Sequence, residues 1–135
     1  MSETLYDRLS TKRKKLQSEG LVPEWYTTAA LQMFEEKYEY QTNGRSVKGQ
    51  FERIAKTAAK HIEKEFPEAE NNFFNLLWNG WLSPSTPVLA NMGTDRGMPV
   101  SCSGGVIGDS IDSFYKSQHE LARSEEHTSE LQSLR

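Results

Sequence analysis

The residues of this chain whose types could do chemistry lie together in one stretch, residues 81–105. The only cysteine, Cys102, follows a run in which two prolines flank Ser85 and Thr86. Because proline fixes its own backbone, both hydroxyls and their amides can be held in a set geometry. A concave run of amides and hydroxyls can cradle phosphate oxygens. The run is therefore a candidate phosphate-binding loop, and a thiol follows Thr86 after sixteen residues.

Each of these features also has a purely structural interpretation. Proline-flanked serine and threonine are common in ordinary turns, and a lone cysteine in a strand is most often a small buried apolar residue. Asp109 can cap a helix, and Asp112, three residues on, adds charge complementary to the helix dipole. The arrangement favours function: Thr86, Cys102 and Asp109 follow one another across a glycine-rich loop and into a helix start.

The motifs SPSTPVLANMG, PVSC and GDSIDSF, in this order and spacing, resemble the N-terminal part of the large, catalytic subunit of ribonucleotide reductase. The resemblance covers roughly residues 5–122 and is specific over residues 77–114. It implies an α+β fold, in which an N-terminal α-helical domain (residues 1–80) precedes the first strand and helix of a ten-stranded α/β barrel (residues 81–122).

The resemblance also implies roles for individual residues. Thr86 would contact the substrate phosphates, and Ser101 would line the same pocket. Cys102 would lie in this pocket as a redox-active thiol that forms a disulfide with a second cysteine farther along the full subunit. The allosteric site, where a deoxynucleoside triphosphate or ATP binds at the dimer interface, is matched by Asp109, Ser110 and Ile111.

The activity so implied is the radical-based reduction of ribonucleoside diphosphates to deoxyribonucleotides for DNA synthesis, in a homodimer of large subunits. The family's other active-site residues lie beyond residue 122, so we expect the chain alone to be inactive and to bind no cofactor or metal. A separate small subunit with a dimetal-tyrosyl centre would supply the radical, and thioredoxin or glutaredoxin would reduce the disulfide.

Two alternatives stay open. In one, adenosylcobalamin supplies the radical. In the other, the chain is a non-catalytic helical interaction module, which gives no account of the spacing of Thr86, Cys102 and Asp109.

Composition argues against several other classes of protein. A formal net charge of -3 over 135 residues gives no general attraction to nucleic acid or to anionic membranes. No apolar run approaches the roughly 18 residues of a membrane span, and residues 1–20 lack a signal-peptide core. One cysteine cannot form an internal disulfide, so the expected location is the cytoplasm, where thiols stay reduced.

Apolar spacing predicts the helices that position the candidate loop. It indicates an N-terminal helical arm over residues 1–20 and three helices at residues 23–40, 46–66 and 68–79. Ser46 is expected to cap the second of these three, and Gly80 to end the third. The core faces, expected to pack on one another, carry Trp25, Ala29, Ala30, Met33, Phe34 and Tyr38, then Val47, Phe51, Ile54, Ala55, Ala58 and Ile62, then Phe73, Phe74, Leu76 and Leu77.

After Gly80, proline and glycine predict an irregular loop without helix as far as Pro99. Residues 99–102 predict a short strand, and Val106 and Ile107 are a candidate extension of it. Asp109 is expected to cap a last helix with an apolar face of Ile111, Phe114, Tyr115 and Leu121.

The tail, residues 123–135, departs from this pattern. It has no apolar face continuous with the last helix, and residues 123–133 resemble, letter for letter, the translated read-through of a sequencing-adapter oligonucleotide. We therefore predict a non-native tail that packs against nothing and assign no role to His127. A genuine polar C-terminal helix is the alternative.

Overall fold

A computed structural model of the protein describes residues 4–39, 46–100, 102 and 104–126, with side chains through Arg123. In these ranges the chain forms six α-helices: α1 Leu5–Ser18, α2 Thr28–Lys37, α3 Val47–Ala59, α4 Ala69–Trp78, α5 Thr86–Asn91 and α6 Ile111–Glu126. The chain divides into two compact units, Met1–Pro84 with α1 to α4 and Ser85–Arg135 with α5 and α6.

Polar side chains on α1 hold the segment that leads into α2. Arg13 Nη1 donates to the carbonyl oxygen of Tyr26 at 3.1 Å, and Gln17 Nε2 donates to that of Pro23 at 2.9 Å. The guanidinium of Arg13 therefore stabilises the fold, since it donates to a main-chain carbonyl within the same unit.

The face of α2 that is buried differs from the predicted one. α2 begins at Thr28, after Thr27, whose side chain caps it. Trp25 and Met33 are 48% and 51% exposed, so the prediction that they face the core is wrong. Trp25 precedes the helix, where helical spacing does not apply, and Met33 lies about 200° around the helix from Leu31. The buried apolar residues of α2 and its C-cap are Leu31, Phe34 and Tyr38.

α3 and α4 pack against each other, as predicted. Ser46 caps α3, because its Oγ accepts a hydrogen bond from the amide of Gly49 at 3.0 Å. The ring of Phe51 meets that of Trp78 edge to face, with centroids 6.5 Å apart. The buried apolar residues of this pair are Val47, Phe51, Ile54, Ala55, Ala59, Ala69 and Leu77. Ile62 is exposed at the surface because α3 ends before it.

α4 ends at the predicted glycine. Gly80 has φ +72, and the amide of Trp81 donates to the carbonyl oxygen of Leu76 at 3.0 Å. This hydrogen bond satisfies a carbonyl in the last turn of α4. It requires a left-handed backbone at Gly80, which glycine adopts without strain. The indole Nε1 of Trp25 donates to the carbonyl of Trp78 at 2.7 Å, so the Trp25 ring lies at this end of α4.

α5 lies inside the stretch that was predicted to be irregular, and that prediction is wrong. Pro87 is the second residue of the helix. In the first turn an amide has no intrahelical partner, so proline causes no loss there. The next proline is Pro99, which leaves room for the helix to run to Asn91.

The predicted strand at residues 99–102 stays a prediction. Its described members, residues 99, 100 and 102, form no strand, and Ser101 lies outside the described residues. α6 continues to Glu126, four residues past Ala122. Tyr40 lies outside the described residues. The tail residues Leu131 and Leu134 do so as well, so the prediction that the tail packs against nothing is not tested.

Candidate functional site

Thr86 is the first residue of α5 and is exposed. Ser85, the residue before it, has extended backbone and makes no side-chain capping bond to the helix. Two hydroxyl residues therefore stand exposed at the start of α5. This is the kind of surface that the predicted phosphate contact needs, and the contact itself stays a prediction.

The loop after α5 is held by Asn91, a residue that the sequence analysis did not single out. Its Nδ2 donates to the carbonyl oxygen of Met98 at 3.1 Å. Its main-chain carbonyl accepts from the hydroxyl of Thr94 at 2.8 Å. The loop turns at Gly93 and Gly97, which have φ of +77 and +63. The sequence signal available for this closed loop was an asparagine, Asn91, followed two positions later by a glycine, Gly93.

Cys102 lies in the segment that follows this loop, and its side chain is exposed. The interpretation of this cysteine as a small buried apolar residue is therefore wrong for the chain described here. Val100 is also exposed, and Ser101, the predicted pocket residue between them, lies outside the described residues. The segment presents a thiol at the surface of its unit.

The start of α6 differs in detail from the prediction. Ser110, and not Asp109, caps the helix, because Ser110 Oγ accepts from the amide of Ser113 at 3.1 Å. Ser113 Oγ in turn accepts from the amide of Gly108 at 2.7 Å. The prediction that Asp109 is the cap is wrong, since the helix begins at Ile111 and the cap is the residue directly before it. The Asp109 side chain is exposed just ahead of the cap.

The structure places the described candidates, Thr86, Cys102, Asp109, Ser110 and Ile111, in one unit, Ser85–Arg135. Ile111 is 76% exposed at the first position of α6. The roles predicted for these residues are not tested by their positions.

Two features are absent from the described part of the chain. Within it, no three His, Cys, Asp or Glu side chains come together in a way that could hold a metal ion. None of its helices has both the length and the apolar content to cross a membrane.

The helical fold leads to a family. Residues 24–97, more than half of the chain, match a family model described as the all-alpha domain of ribonucleotide reductase. The chain belongs to the ribonucleotide reductase family. The matched span contains α2 to α5 and includes Thr86, while Cys102 and Asp109 follow its end. Comparison with curated proteins and with solved structures found no match.

Membership of the ribonucleotide reductase family confirms the resemblance that the motifs indicated. It identifies the chain with the helical domain of the reductase large subunit, an oxidoreductase of deoxyribonucleotide biosynthesis. In general terms it also implies a nucleotide substrate and a small-subunit partner.

Proposed function

We propose that the chain is the N-terminal part of the large, catalytic subunit of a ribonucleoside-diphosphate reductase. One observation carries this proposal. The span that matches the reductase helical domain includes Thr86 and ends five residues before Cys102. The candidate substrate residue Thr86 thus lies within the matched helical domain and the thiol follows it, in the order that the family's motifs predict.

In this proposal the chain binds the substrate and supplies reducing electrons. The exposed hydroxyl of Thr86 contacts the diphosphate, and Ser101 lines the same pocket. Cys102 and a second cysteine farther along the full subunit give up two electrons and two protons and form a disulfide. The ribonucleotide loses its 2′-hydroxyl as water, and hydrogen takes its place on the carbon. A thiol is required because a hydroxyl does not undergo this oxidation.

The remaining assignments follow the same proposal. A deoxynucleoside triphosphate or ATP binds near Asp109, Ser110 and Ile111 in a homodimer and biases the choice of substrate. The dimetal-tyrosyl centre of a separate small subunit supplies the radical, and thioredoxin or glutaredoxin reduces the disulfide. The enzyme acts in the cytoplasm. An enzyme driven by adenosylcobalamin would instead be active with that compound and without a small subunit.

The test replaces Cys102 by serine in the full-length enzyme, assayed with its radical-supplying partner. Serine is nearly isosteric, so Cys102→Ser should fold, dimerise and bind effector. It should lose multiple-turnover reduction of ribonucleotides, because the reducing disulfide cannot form. Turnover is measured as deoxyribonucleotide formed in the presence of thioredoxin.

Thr86→Val serves as the comparison variant. It removes the proposed phosphate contact and keeps the thiol, so its main effect should be a higher KM. Wild-type turnover by Cys102→Ser would refute the proposed role of this cysteine.

A further inference from the structure

Asn91 holds both ends of the loop formed by residues 92–98. Its side-chain Nδ2 donates to the carbonyl oxygen of Met98 at 3.1 Å. Its main-chain carbonyl accepts from the amide and the hydroxyl of Thr94, at 2.9 and 2.8 Å. Asn91 is only 5% exposed and is one of the few polar residues that the described part of the chain buries. Asn91 therefore makes hydrogen bonds both to the start of this loop, at Thr94, and to its end, at Met98.

The segments on either side of this loop are conformationally restricted. Thr86 and Asn91 are the first and last residues of α5, about 7.5 Å apart along its axis at 1.5 Å per residue. On the other side Pro99 has a fixed φ, and Met98 before it is restricted to extended backbone. The direction in which the chain leaves toward Cys102 thus depends on where the carbonyl of Met98 is held.

We infer that Asn91 is a positioning residue of the reductase, which keeps the Cys102 segment in register with Thr86. The inference rests on the proposed function. Asn91 acts through the Met98 carbonyl and is not assigned any contact with substrate. The position needs a donor, because an ionised aspartate of the same shape offers only acceptors and would repel the Met98 oxygen. A displacement of about 1 Å at a reacting group can cost roughly 100-fold in rate.

The experiment compares Asn91→Asp with wild type in the full-length reductase with its small subunit. We expect kcat to fall about 10- to 100-fold. The Kd values for a ribonucleoside diphosphate and for a deoxynucleoside triphosphate effector should change less than about threefold, since neither binding step needs the thiol. The thermal unfolding midpoint is measured in parallel. If Asn91 were only structural, the substitution would weaken both binding steps and lower the unfolding midpoint together with kcat.

Asn79→Asp is the matched control. The Nδ2 of Asn79 also donates to a main-chain carbonyl, that of Asn75 at 2.8 Å, but it lies in the other unit, Met1–Pro84. This variant should keep kcat within about twofold of wild type. Asn91→Ser, whose hydroxyl is too short to make the bond to Met98, is the second variant if Asn91→Asp does not fold, with the same expectation for kcat.

The outcomes separate the inference from the proposed function. Wild-type activity together with an undiminished kcat for Asn91→Asp would overturn the inference alone. Misfolding of both variants, or parallel losses of kcat, binding affinity and unfolding midpoint, would show that Asn91 is a structural residue. Either result would also overturn the inference. A wild-type enzyme that reduces no ribonucleotide would refute the proposed function, and the inference with it.

Discussion

Tyr26 shows how a single residue can make the stability of this chain depend on pH. Burial, with a smaller contribution from Tyr38, raises the pKa of the Tyr26 hydroxyl from 10.0 to about 12. The folded state therefore disfavours the phenolate, while the unfolded state ionises at the ordinary value. The stability from this residue is fully present below the unfolded pKa and is lost as the pH rises through the folded pKa.

We expect the unfolding free energy of the chain to fall by about 1–3 kcal/mol from Tyr26 between pH about 10 and 12. Tyr26→Phe should lack this part of the fall. Urea unfolding, followed by circular dichroism at several pH values, measures it. Tyr6→Phe is the control, because Tyr6 is 66% exposed, and it should keep the wild-type dependence. A Tyr26→Phe curve parallel to wild type would contradict the prediction.

At the scale of the element, Gly80 combines two constraints at the end of α4. Its φ is +72, and a Cβ there would lie 3.1 Å from the Trp25 ring. Gly80→Ala should therefore lower the unfolding free energy by about 1–3 kcal/mol. Gly20 has φ +68 but no atom within 4 Å of an added Cβ, so Gly20→Ala isolates the backbone strain and should cost about 1 kcal/mol.

Denaturant unfolding of the two variants separates these terms. Gly104→Ala, at a glycine with open space around an added Cβ and a φ outside the left-handed region, should be close to wild type. Equal losses for Gly80→Ala and Gly20→Ala would show that the Trp25 ring moves aside without cost.

The packing of α3 on α4 is tested at Phe51, which is 3% exposed. Phe51→Ala removes its contact with Trp78 and leaves a cavity, so it should lower the unfolding free energy by about 3–5 kcal/mol. Phe114→Ala, on the exposed face of α6, is the control and should cost less than about 1 kcal/mol. Chemical unfolding measures both, and a loss below about 1 kcal/mol for Phe51→Ala would place this face in solvent.

At the scale of the whole molecule, burial is unequal between the two units. The large buried apolar residues of the described chain belong to the unit Met1–Pro84. In the other unit, the described apolar side chains of α6 are exposed, among them Ile111, Phe114, Tyr115 and Leu121. Packing within the described chain therefore accounts for α1 to α4 better than for α6.

The proposed regulation also belongs to the whole molecule, since it links an effector site to a substrate site. In the full-length enzyme, Asp109→Ala should weaken effector binding and blur substrate choice, with unregulated reduction largely kept. The measurement is the ratio of the four ribonucleoside diphosphates reduced with each deoxynucleoside triphosphate. Asp112→Ala removes an exposed acidic residue from the first turn of the same helix and is the control for the helix dipole. Normal substrate ratios in Asp109→Ala would contradict the assignment.

Features that depend on near neighbours were predictable from the sequence. The cap at Ser46, the end of α4 at Gly80 and the presence of α3 and α4 were predicted correctly, because a cap bond or a backbone preference involves residues only a few positions apart. The end of α3 was predicted wrongly, since the helix was expected to run to residue 66 and ends at Ala59. The motifs around Thr86 and Cys102 likewise led to the reductase family. Two further local predictions were wrong: α5 forms despite Pro87, and the cap of α6 is Ser110, because each depended on a helix boundary one or two positions away.

Only the tertiary structure decided which faces are buried and how the candidate loop is closed. Trp25 lies outside the core, and its indole donates to the carbonyl of Trp78, 53 residues away; no periodicity in the sequence records that partner. Asn91 is buried and bound to Met98 because the chain turns back on itself between them. Burial is a property of the surfaces that meet in space, and spacing along the chain specifies only the side that each residue takes on its own helix.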